Sequence, residues 1–350
     1  MNIRPETEDR FSRYVEAVLE ANGRDPGADP LTVAARSFAV DPTVQQQLLD
    51  RIQQSDLGLF AKFNNILVNE IKGEKIFMGT SGKVVASTTD TDVNERKPVS
   101  PIELADDQYE CTVTDWDTII KFAFLDSWAK FPDFEARIGR WLVRAQVEDR
   151  LKIAFNGTHR AATSNRDANP LGQDVNKGWL QHIREQAPAQ NITEIQGGSG
   201  KVTYGAGGDY RSIDQLVLEA YHDVISQPYR ASGNIVCFIS EGLLSDRHFK
   251  LVDQDKPSEE IAADQIIQTA RVGTRPVEIV PWFPEGTILL TSHENLSRYE
   301  QEGSRRRKIE QAPQRRGFVN WESFNEAFVV EEYGKAALIE NIAPFEAPEA

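Results

Sequence analysis

A cluster of basic side chains near the carboxyl end is the part of this sequence best suited to bind a charged partner. Residues 304–317, "SRRRKIEQAPQRRG", contain one acid, Glu310, and six cations: Arg305, Arg306, Arg307, Lys308, Arg315 and Arg316. Guanidinium groups bind phosphates and carboxylates with paired hydrogen bonds. The segment carries +5 in a chain of formal charge −15. It could therefore bind nucleic acid, a phosphorylated ligand, or acidic groups on another copy of the chain.

Two glycine-rich stretches resemble phosphate-binding loops but lack the required residues. In "GGSGKV", residues 197–202, Val202 replaces the hydroxyl residue and Ile195 occupies the position of the first glycine. In "GAGGDY", residues 205–210, the glycines are wrongly spaced for a dinucleotide fingerprint. The second stretch is more typical of a flexible turn, and we expect no nucleotide cofactor.

The histidines and cysteines show no catalytic or metal-binding pattern. None of the five histidines lies in an H-E-x-x-H motif or at i, i+4 spacing from another. Cys111 and Cys237 are far apart, and Cys237 lies in an apolar run typical of a buried, unreactive thiol. We expect no catalytic residue, metal or cofactor, although an α/β enzyme with residues scattered along the chain remains an alternative.

Length and composition indicate an ordinary globular protein. A chain of 350 residues is long enough for two or three domains. It lacks an apolar stretch long enough to cross a membrane and a signal-peptide core, so we expect a cytosolic protein that does not contact membranes. The acidic balance argues against a surface that binds DNA throughout.

Helical periodicity predicts three helices in the amino-terminal half. Residues 8–22 form an amphipathic pattern that ends at Gly23 and is followed by the linker "RDPGADP". Asp41 and Pro42 indicate the start of a second helix, and the first forty residues resemble a detachable module. A long third helix is predicted from Asp133 to Phe155, ending at Asn156-Gly157.

Strand patterns occupy most of the remaining chain. Residues 66–113 predict an extended hairpin with a polar, non-periodic segment in its middle. In residues 205–300, Ser212 and Gln215 indicate a helix start, and "IVCFI" at 235–239 predicts a buried strand. These signals indicate a compact α/β domain, followed after the basic segment by two more strands in "FNEAFVVEEYGKAALIENI".

Several long motifs, in the same order, resemble the major capsid proteins of P2-like tailed bacteriophages. They are "GEKIFMG" with "ASTTDT", "FNGTHRAATSNRDANPLGQDVNKGWLQ", "GGDYRSID", "PWFPEGTILLTSHENLSRY" and "NWESFNEAFVVEEYG". The resemblance extends from about Asp41 to Ile342. It implies the α+β HK97-type capsid fold.

That fold implies six regions along the chain. They are an amino-terminal propeptide or scaffold-like module (1–38), an amino-terminal arm (39–70), an extended β-hairpin loop (71–115), a peripheral domain with a long spine helix (116–204), an axial domain (205–320), and return strands to the peripheral domain with a carboxyl-terminal tail (321–350).

The resemblance further implies a structural protein that self-assembles, as hexamers and pentamers, into the icosahedral head shell around the double-stranded DNA of a tailed phage or prophage. The implied partners are a scaffold and maturation protease, a portal, and decoration or completion proteins, with weak non-specific contact to packaged DNA. Assembly would take place in the bacterial cytoplasm, and the product would be the virion capsid. An encapsulin-like shell around a cargo enzyme is the alternative.

Two sites follow as hypotheses. The Phe38-Ala39 bond in "ARSFAVDP" resembles the junction at which the family's maturation protease cuts. The arginines Arg305, Arg306, Arg307, Arg315 and Arg316 are expected to contact carboxylates of neighbouring subunits, with Asp90, Asp92, Glu95, Asp106 and Asp107 as possible partners. A solvated turn that contributes little to binding is the simpler alternative.

Overall fold

The computed structural model describes residues 4–27, 29–36, 38–40, 60, 62–75, 78–80, 86–89, 95–96, 102–104, 108–129, 131, 134–231, 233–252 and 271–345. The predicted helix that begins at Asp41 lies outside these residues, as does most of the polar segment of the predicted hairpin.

The described helices are α1 (Pro5–Ala21), α2 (Pro30–Ala34), α3 (Phe122–Trp128), α4 (Phe134–Asn156), α5 (Trp179–Gln186), α6 (Ile213–Asp223), α7 (Gln227–Arg230) and α8 (Glu241–Val252). Short 3-10 turns lie at Pro188–Gln190, His293–Asn295, Pro313–Arg315 and Tyr333–Lys335. The predictions of α1 and α4 are confirmed to within a few residues, and Gly23 ends α1 with a φ of 64°.

The strands up to residue 204 are β1 (Phe38–Ala39), β2 (Asn64–Val68), β3 (Lys72–Glu74), β4 (Met78–Thr80), β5 (Ile102–Leu104), β6 (Gln108–Glu110), β7 (Thr112–Asp115), β8 (Thr118–Lys121), β9 (Asn191–Ile192) and β10 (Val202–Tyr204). Those that follow are β11 (Val236–Ile239), β12 (Arg271–Val272), β13 (Arg275–Ile279), β14 (Ile288–Thr291), β15 (Leu296–Gln301), β16 (Arg306–Ala312), β17 (Gly317–Val330), β18 (Ala337–Ile339) and β19 (Ile342–Pro344). The antiparallel pairs β3–β6 and β4–β5 form the base of the predicted hairpin.

The long strand β17 organises a seven-stranded sheet. One of its edges pairs antiparallel with β15 and β16, and its other edge pairs antiparallel with β7 and β8. Strand β2 joins parallel to β15, and the short β1 joins antiparallel to β16. Strands β15 and β16 follow each other along the same edge of β17, and the four residues between them, 302–305, interrupt the pairing with β17.

This interruption changes which side chains face the protein interior. In β15, Glu300 lies opposite Glu326, so even-numbered residues of both strands share a face. In β16, Arg307 lies opposite Glu322, so odd-numbered residues of β16 share that same face of β17. The consequence is that Arg305 and Arg307 are directed inward, while Arg306 and Lys308 are directed outward.

A six-stranded sheet forms the α/β part in the order β12-β13-β11-β14-β18-β9. Cys237 and Ile239 of β11 pack with α6 on one face, while Phe238 packs with Trp179 of α5 on the other. Burial on both faces explains the continuous apolar run at this strand and confirms its prediction. Helix α6 begins as predicted, since the Ser212 hydroxyl accepts a 3.2 Å hydrogen bond from the Gln215 amide.

The strands do not follow the predicted boundary between residues 320 and 321. Strands β15 and β16, which the sequence places in the axial domain, share a sheet with β17. Strand β18, which it places in the peripheral domain, instead pairs with β14 of the α/β sheet. The chain crosses between the two sheets more than once, and the period of a single strand cannot show which sheet it joins.

Close backbone packing at the end of α4 explains two glycines, Gly157 and Gly178, of the motif "FNGTHRAATSNRDANPLGQDVNKGWLQ". The Gly178 amide donates to the Gly157 carbonyl at 3.0 Å. A β-carbon at Gly157 would lie 2.1 Å from the Asn176 carbonyl oxygen, and one at Gly178 would lie 2.4 Å from that of Ala154. Both positions therefore require glycine because backbone, not a movable side chain, occupies the space.

The amino-terminal segment is packed against the rest of the subunit. Phe11, Tyr14, Val15 and Leu19 of α1 share a buried cluster with Phe318 of β17 and with apolar residues of α3 and α4. The rings of Phe11 and Phe318 stack with centroids 4.0 Å apart. A module held in this way is part of the subunit core, so its removal requires these contacts to separate.

Candidate functional site

The two cysteines are buried and unreactive in this fold. Burial raises the pKa of both Cys111 and Cys237 to about 12, so each thiol stays protonated at neutral pH. Within the described part of the chain, no three His, Cys, Asp or Glu side chains are grouped to hold a metal ion. None of the described helices has the length and apolarity that a membrane crossing requires.

The phosphate-loop-like stretch is already occupied by a carboxylate of the chain itself. Glu194 accepts hydrogen bonds from the amides of Gly198 at 3.0 Å and Gly200 at 2.8 Å. These bonds lower the pKa of Glu194. The amide groups that would have to bind a phosphate are thus engaged in an internal loop contact.

The structure brings the two predicted sites together. Phe38 pairs with Arg307 and Ala39 pairs with Arg306, and the Val40 amide donates to the Arg305 carbonyl at 2.9 Å. The candidate cleavage bond therefore lies in an edge strand held by the backbone of the basic segment.

The basic side chains divide into buried and exposed groups. Arg305 is 1% exposed, so its prediction as a contact to a neighbouring subunit is wrong. Its guanidinium lies 2.9 Å from Glu300 and also bonds Glu322 within the same chain. The interruption at residues 302–305 is the physical reason, because it directs Arg305 to the interior face of the sheet.

Arg307 is tied to its own amino-terminal helix. Its Nε donates to Asn320 Oδ1 at 2.6 Å, and one of its Nη atoms donates to the Tyr14 hydroxyl at 3.3 Å. Arg306, Arg315 and Arg316 are exposed, and they remain available to a partner. Of the acids proposed to bind them, Asp90, Asp92, Asp106 and Asp107 lie outside the described residues.

Arg305 belongs to a buried cluster of six charges, here called the charge cluster. Its members come from α4, β15, β17 and the segment before β16: Arg150, Arg298, Arg305, Glu300, Glu322 and Glu326. Arg298 Nε donates to Glu326 at 2.8 Å and its Nη2 bonds Glu300. From α4, Gln146 donates to Glu322 at 3.0 Å. Equal numbers of acids and bases leave the cluster neutral.

An aromatic ring lies at the centre of the charge cluster. The guanidinium carbons of Arg305, Arg150 and Arg298 are 4.1, 5.2 and 5.5 Å from the centroid of Phe324. Arg150 also lies 4.8 Å from Trp116, whose ring is parallel to that of Phe324. Contacts between cations and ring faces compensate part of the desolvation of these arginines.

The pKa shifts within the charge cluster reflect burial opposed by pairing. Burial alone would raise the pKa of Glu300, but Arg305 and Arg298 outweigh it and lower the pKa to about 2. The pKa of Glu322 is also lowered, because Arg305 and Arg307 outweigh its burial. Burial lowers the pKa of Arg150, which is 3.7 Å from Glu326 and makes no hydrogen bond to it. All the carboxylates with lowered pKa values stay ionised at neutral pH.

Sequence reasoning did not identify the charge cluster. A usable signal exists in β17, where Glu322 and Glu326 alternate with Phe324 and Phe328 at the spacing of one strand face. Charged residues on a face that otherwise carries Phe indicate buried, paired charges. The partner arginines come from distant segments, and no local pattern connects them.

Comparisons with known proteins agree with this architecture. The family model for the phage major capsid protein, P2 family, matches residues 10–342. A capsid protein of Escherichia phage P2 is 39% identical over 347 residues, covering 97% of this chain and 95% of that protein. The major capsid protein of Serratia phage KSP20 is 34% identical and covers 98% of both chains. A chain in the satellite phage P4 procapsid that includes the size determination (Sid) protein has a TM-score of 0.78 at 35% identity, covering 98% of this chain and 99% of that one.

Replacing Arg305 by Met should destabilise the subunit far more than replacing its neighbour Arg306. The Arg305→Met variant leaves buried Glu322 without its ion-pair partner and Glu300 with Arg298 alone. Removal of one member of a buried pair costs about 3–5 kcal/mol. Arg306→Met removes an exposed side chain and should change the free energy of unfolding by about 0.5 kcal/mol or less. Urea unfolding of the two variants measures the difference, and equal losses would contradict the burial of Arg305.

Proposed function

Because the chain belongs to the P2 family of phage major capsid proteins, we propose that its copies assemble as hexamers and pentamers into the icosahedral head shell of a tailed phage or prophage. The chain is a structural, non-enzymatic protein with the α+β HK97-type fold, and it self-assembles into the virion capsid. Double-stranded DNA is the proposed content. The family match across residues 10–342 carries this conclusion and favours a phage head over a compartment for cargo enzymes.

Several finer assignments rest on the same family. Assembly is proposed to occur in the host cytoplasm with a scaffold, a maturation protease and a portal, and with decoration or completion proteins added later. We assign the seven-stranded sheet with α4 to the peripheral domain and the six-stranded sheet to the axial domain. We assign the strands β3, β4, β5 and β6 to the extended loop.

The exposed part of the basic segment is proposed to contact neighbouring subunits. Arg306, Arg315 and Arg316 are exposed, whereas Arg305 and Arg307 are used within the subunit. Lys308 is 35% exposed and is paired with Glu310 of its own strand. A chain with 54 acids and 39 bases offers carboxylates on every neighbouring copy. DNA that must move freely during packaging would be hindered by strong basic contacts on the shell.

Charge reversal tests both the shell function and this contact. Electron microscopy of the expressed wild-type protein with its scaffold should show closed particles, and an absence of particles would contradict the proposed function. The Arg306→Glu, Arg315→Glu, Arg316→Glu variant should fold normally but form few closed particles, because the reversed side chains repel the carboxylates of neighbouring copies.

A matched control distinguishes an assembly defect caused by the position of the reversed charges from one caused by the change in net charge. Lys201, Arg211 and Arg271 are exposed and lie elsewhere on the subunit, so reversing all three changes the charge equally. We expect this control to assemble. If the first variant assembles normally but encloses less DNA, the basic segment faces the genome and the proposed contact is wrong.

The Phe38-Ala39 bond is proposed as the site of maturation cleavage. Extended edge strands fit protease clefts, and β1 is such a strand. Phe38 is 5% exposed, so the strand must separate from β16 before it can be cut. Once α1 separates after cleavage, Phe122, Ile309 and Phe318, which share its buried cluster, would be uncovered.

Mass spectrometry of the shell protein should detect a new amino terminus at Ala39. Protein expressed without the phage protease provides the control, because it should retain Met1 to Phe38. Particles from infected cells that also retain these residues would rule out cleavage of this segment. A start a few residues from Ala39 would shift the cleavage site without contradicting removal of the segment.

A further inference from the structure

The amino-terminal helix α1 lies in a groove that several other elements of the subunit build together. Phe11, Val15 and Leu19 of α1 are 1%, 0% and 0% exposed. Apolar side chains of α3, α4, β16 and β17 share the buried cluster with them, among them Phe122, Leu125, Ile138, Leu142, Ile309 and Phe318. The surface that these residues form beneath α1 is here called the α1 groove. The chain thus contains both an apolar groove and the helix that fills it.

Hydrogen bonds hold α1 in the α1 groove at two points along its length. The Thr7 hydroxyl donates to Asp126 of α3 at 2.8 Å. Two turns further along the helix, the Tyr14 hydroxyl accepts a 3.3 Å hydrogen bond from Arg307 of β16. Thr7 is 2% exposed and Tyr14 is 9% exposed, so both bonds are largely shielded from water. Directional bonds to groups of the subunit core favour one position of α1 in the groove.

The short helix α2 gives the same segment a second attachment. Ala34 of α2 is 0% exposed and belongs to the buried cluster that contains Ile309 of β16. Strand β1 follows and pairs with β16 through Phe38 and Arg307. Residues 1–38 therefore contact the remainder of the subunit at successive places, and contacts that share one chain reinforce each other.

Cleavage at Phe38-Ala39 breaks the chain without breaking the contacts of α1. Strand β1 has to separate from β16 before it is cut, whereas α1 meets α3, α4 and β17 through side chains of its own. Departure of α1 would expose its apolar face and the α1 groove to water, which is unfavourable. Burial of this apolar surface therefore still favours the bound state after the cut.

The apolar side chains of α1 have the spacing of helices that bind grooves as separate peptides. Such helices place their anchors at i, i+3, i+4 and i+7. In α1 these positions are Phe11, Tyr14, Val15 and Val18. The opposing effect is the entropy that a severed segment gains by leaving. The contacts of α2 reduce this effect, because they keep the segment close to the groove when α1 comes off.

We propose that residues 1–38 stay bound in the α1 groove after the chain is cut, so that the mature subunit consists of two chains. The inference rests on the proposed cleavage and adds that cleavage and departure of the segment are separate events. The shell protein itself then begins at Ala39. The α1 groove stays filled by the helix that filled it in the uncut subunit.

The first test cuts the purified full-length protein at an engineered site and does not need the phage protease. The recognition sequence of a specific protease is inserted after Asp25, in the exposed linker that follows α1. This cut is the stricter test, because it also removes the support that α2 gives to α1. Size-exclusion chromatography in native buffer should keep α1 with the rest of the subunit, and chromatography in urea should release it. Loss of α1 in native buffer would overturn the inference.

Variants of the cut protein show which contact holds the helix. A fluorescent label at the amino terminus reports the dissociation rate of α1 after dilution. Leu19→Ser removes a buried anchor and should raise this rate by about tenfold or more, whereas Ala17→Ser changes an exposed residue and should leave it unchanged. Tyr14→Phe removes only the hydrogen bond to Arg307 and should raise the rate several-fold, which keeps the inference testable if Leu19→Ser does not fold. Equal rates in all four proteins would contradict binding through the α1 groove.

The second test examines particles from infected cells. Mass spectrometry under denaturing conditions should find a shell protein that begins at Ala39 and, in equal amount, a separate peptide that ends at Phe38. A shell protein that begins at Ala39 without this peptide would overturn the inference and leave the proposed cleavage intact. An uncut chain would contradict the proposed cleavage itself, and the inference with it.

Discussion

The subunit depends on one buried electrostatic arrangement, in which three arginines and three glutamates neutralise each other beneath the helix α4. Removing charges from water is costly unless each finds a partner, and a mispaired register would leave some of them alone. Arg298 and Glu300 come from β15, Glu322 and Glu326 from β17, and Arg150 from α4. The pairs of Arg298 with Glu300 and Glu326 therefore favour one register of the two strands, and α4 joins them through the hydrogen bond from Gln146 to Glu322.

The functional regions adjoin this arrangement. Arg305 contributes its side chain to the charge cluster and its backbone carbonyl to Val40, just after the candidate cleavage bond. The next residues pair with Phe38 and Ala39, and Arg307 binds Tyr14 of α1. A protease that opens β1 thus separates it from β16, the strand that begins directly after Arg305. Helix α1 also contacts α3, because the Thr7 hydroxyl donates to Asp126 at 2.8 Å.

Local signals in the sequence were sufficient to predict individual helices and strands, but not which distant segments they pack against. The extent of α4, the cap at Ser212 and the buried strand at 236–239 follow from periodicity and capping chemistry, which act over a few residues. The position of Arg305 depends on an interruption of the ladder at 302–305 that reverses the alternation of faces. Which sheet β15, β16 and β18 each join likewise depends on contacts between residues that are distant in sequence. The family resemblance supplied the fold and the function, which no local motif could provide.

The pH dependence of stability tests the central role of the charge cluster most directly. Because the pKa of Glu300 is lowered in the folded state from 4.5 to about 2, its stabilisation is complete above about pH 4.5 and is lost as the pH falls towards 2. Urea unfolding of the wild type across this range should show a steep loss of stability. In Arg305→Met, the slope should be smaller, because Glu300 keeps Arg298 but has lost one of the two cations that chiefly lower its pKa. Parallel curves for the two proteins would contradict the account.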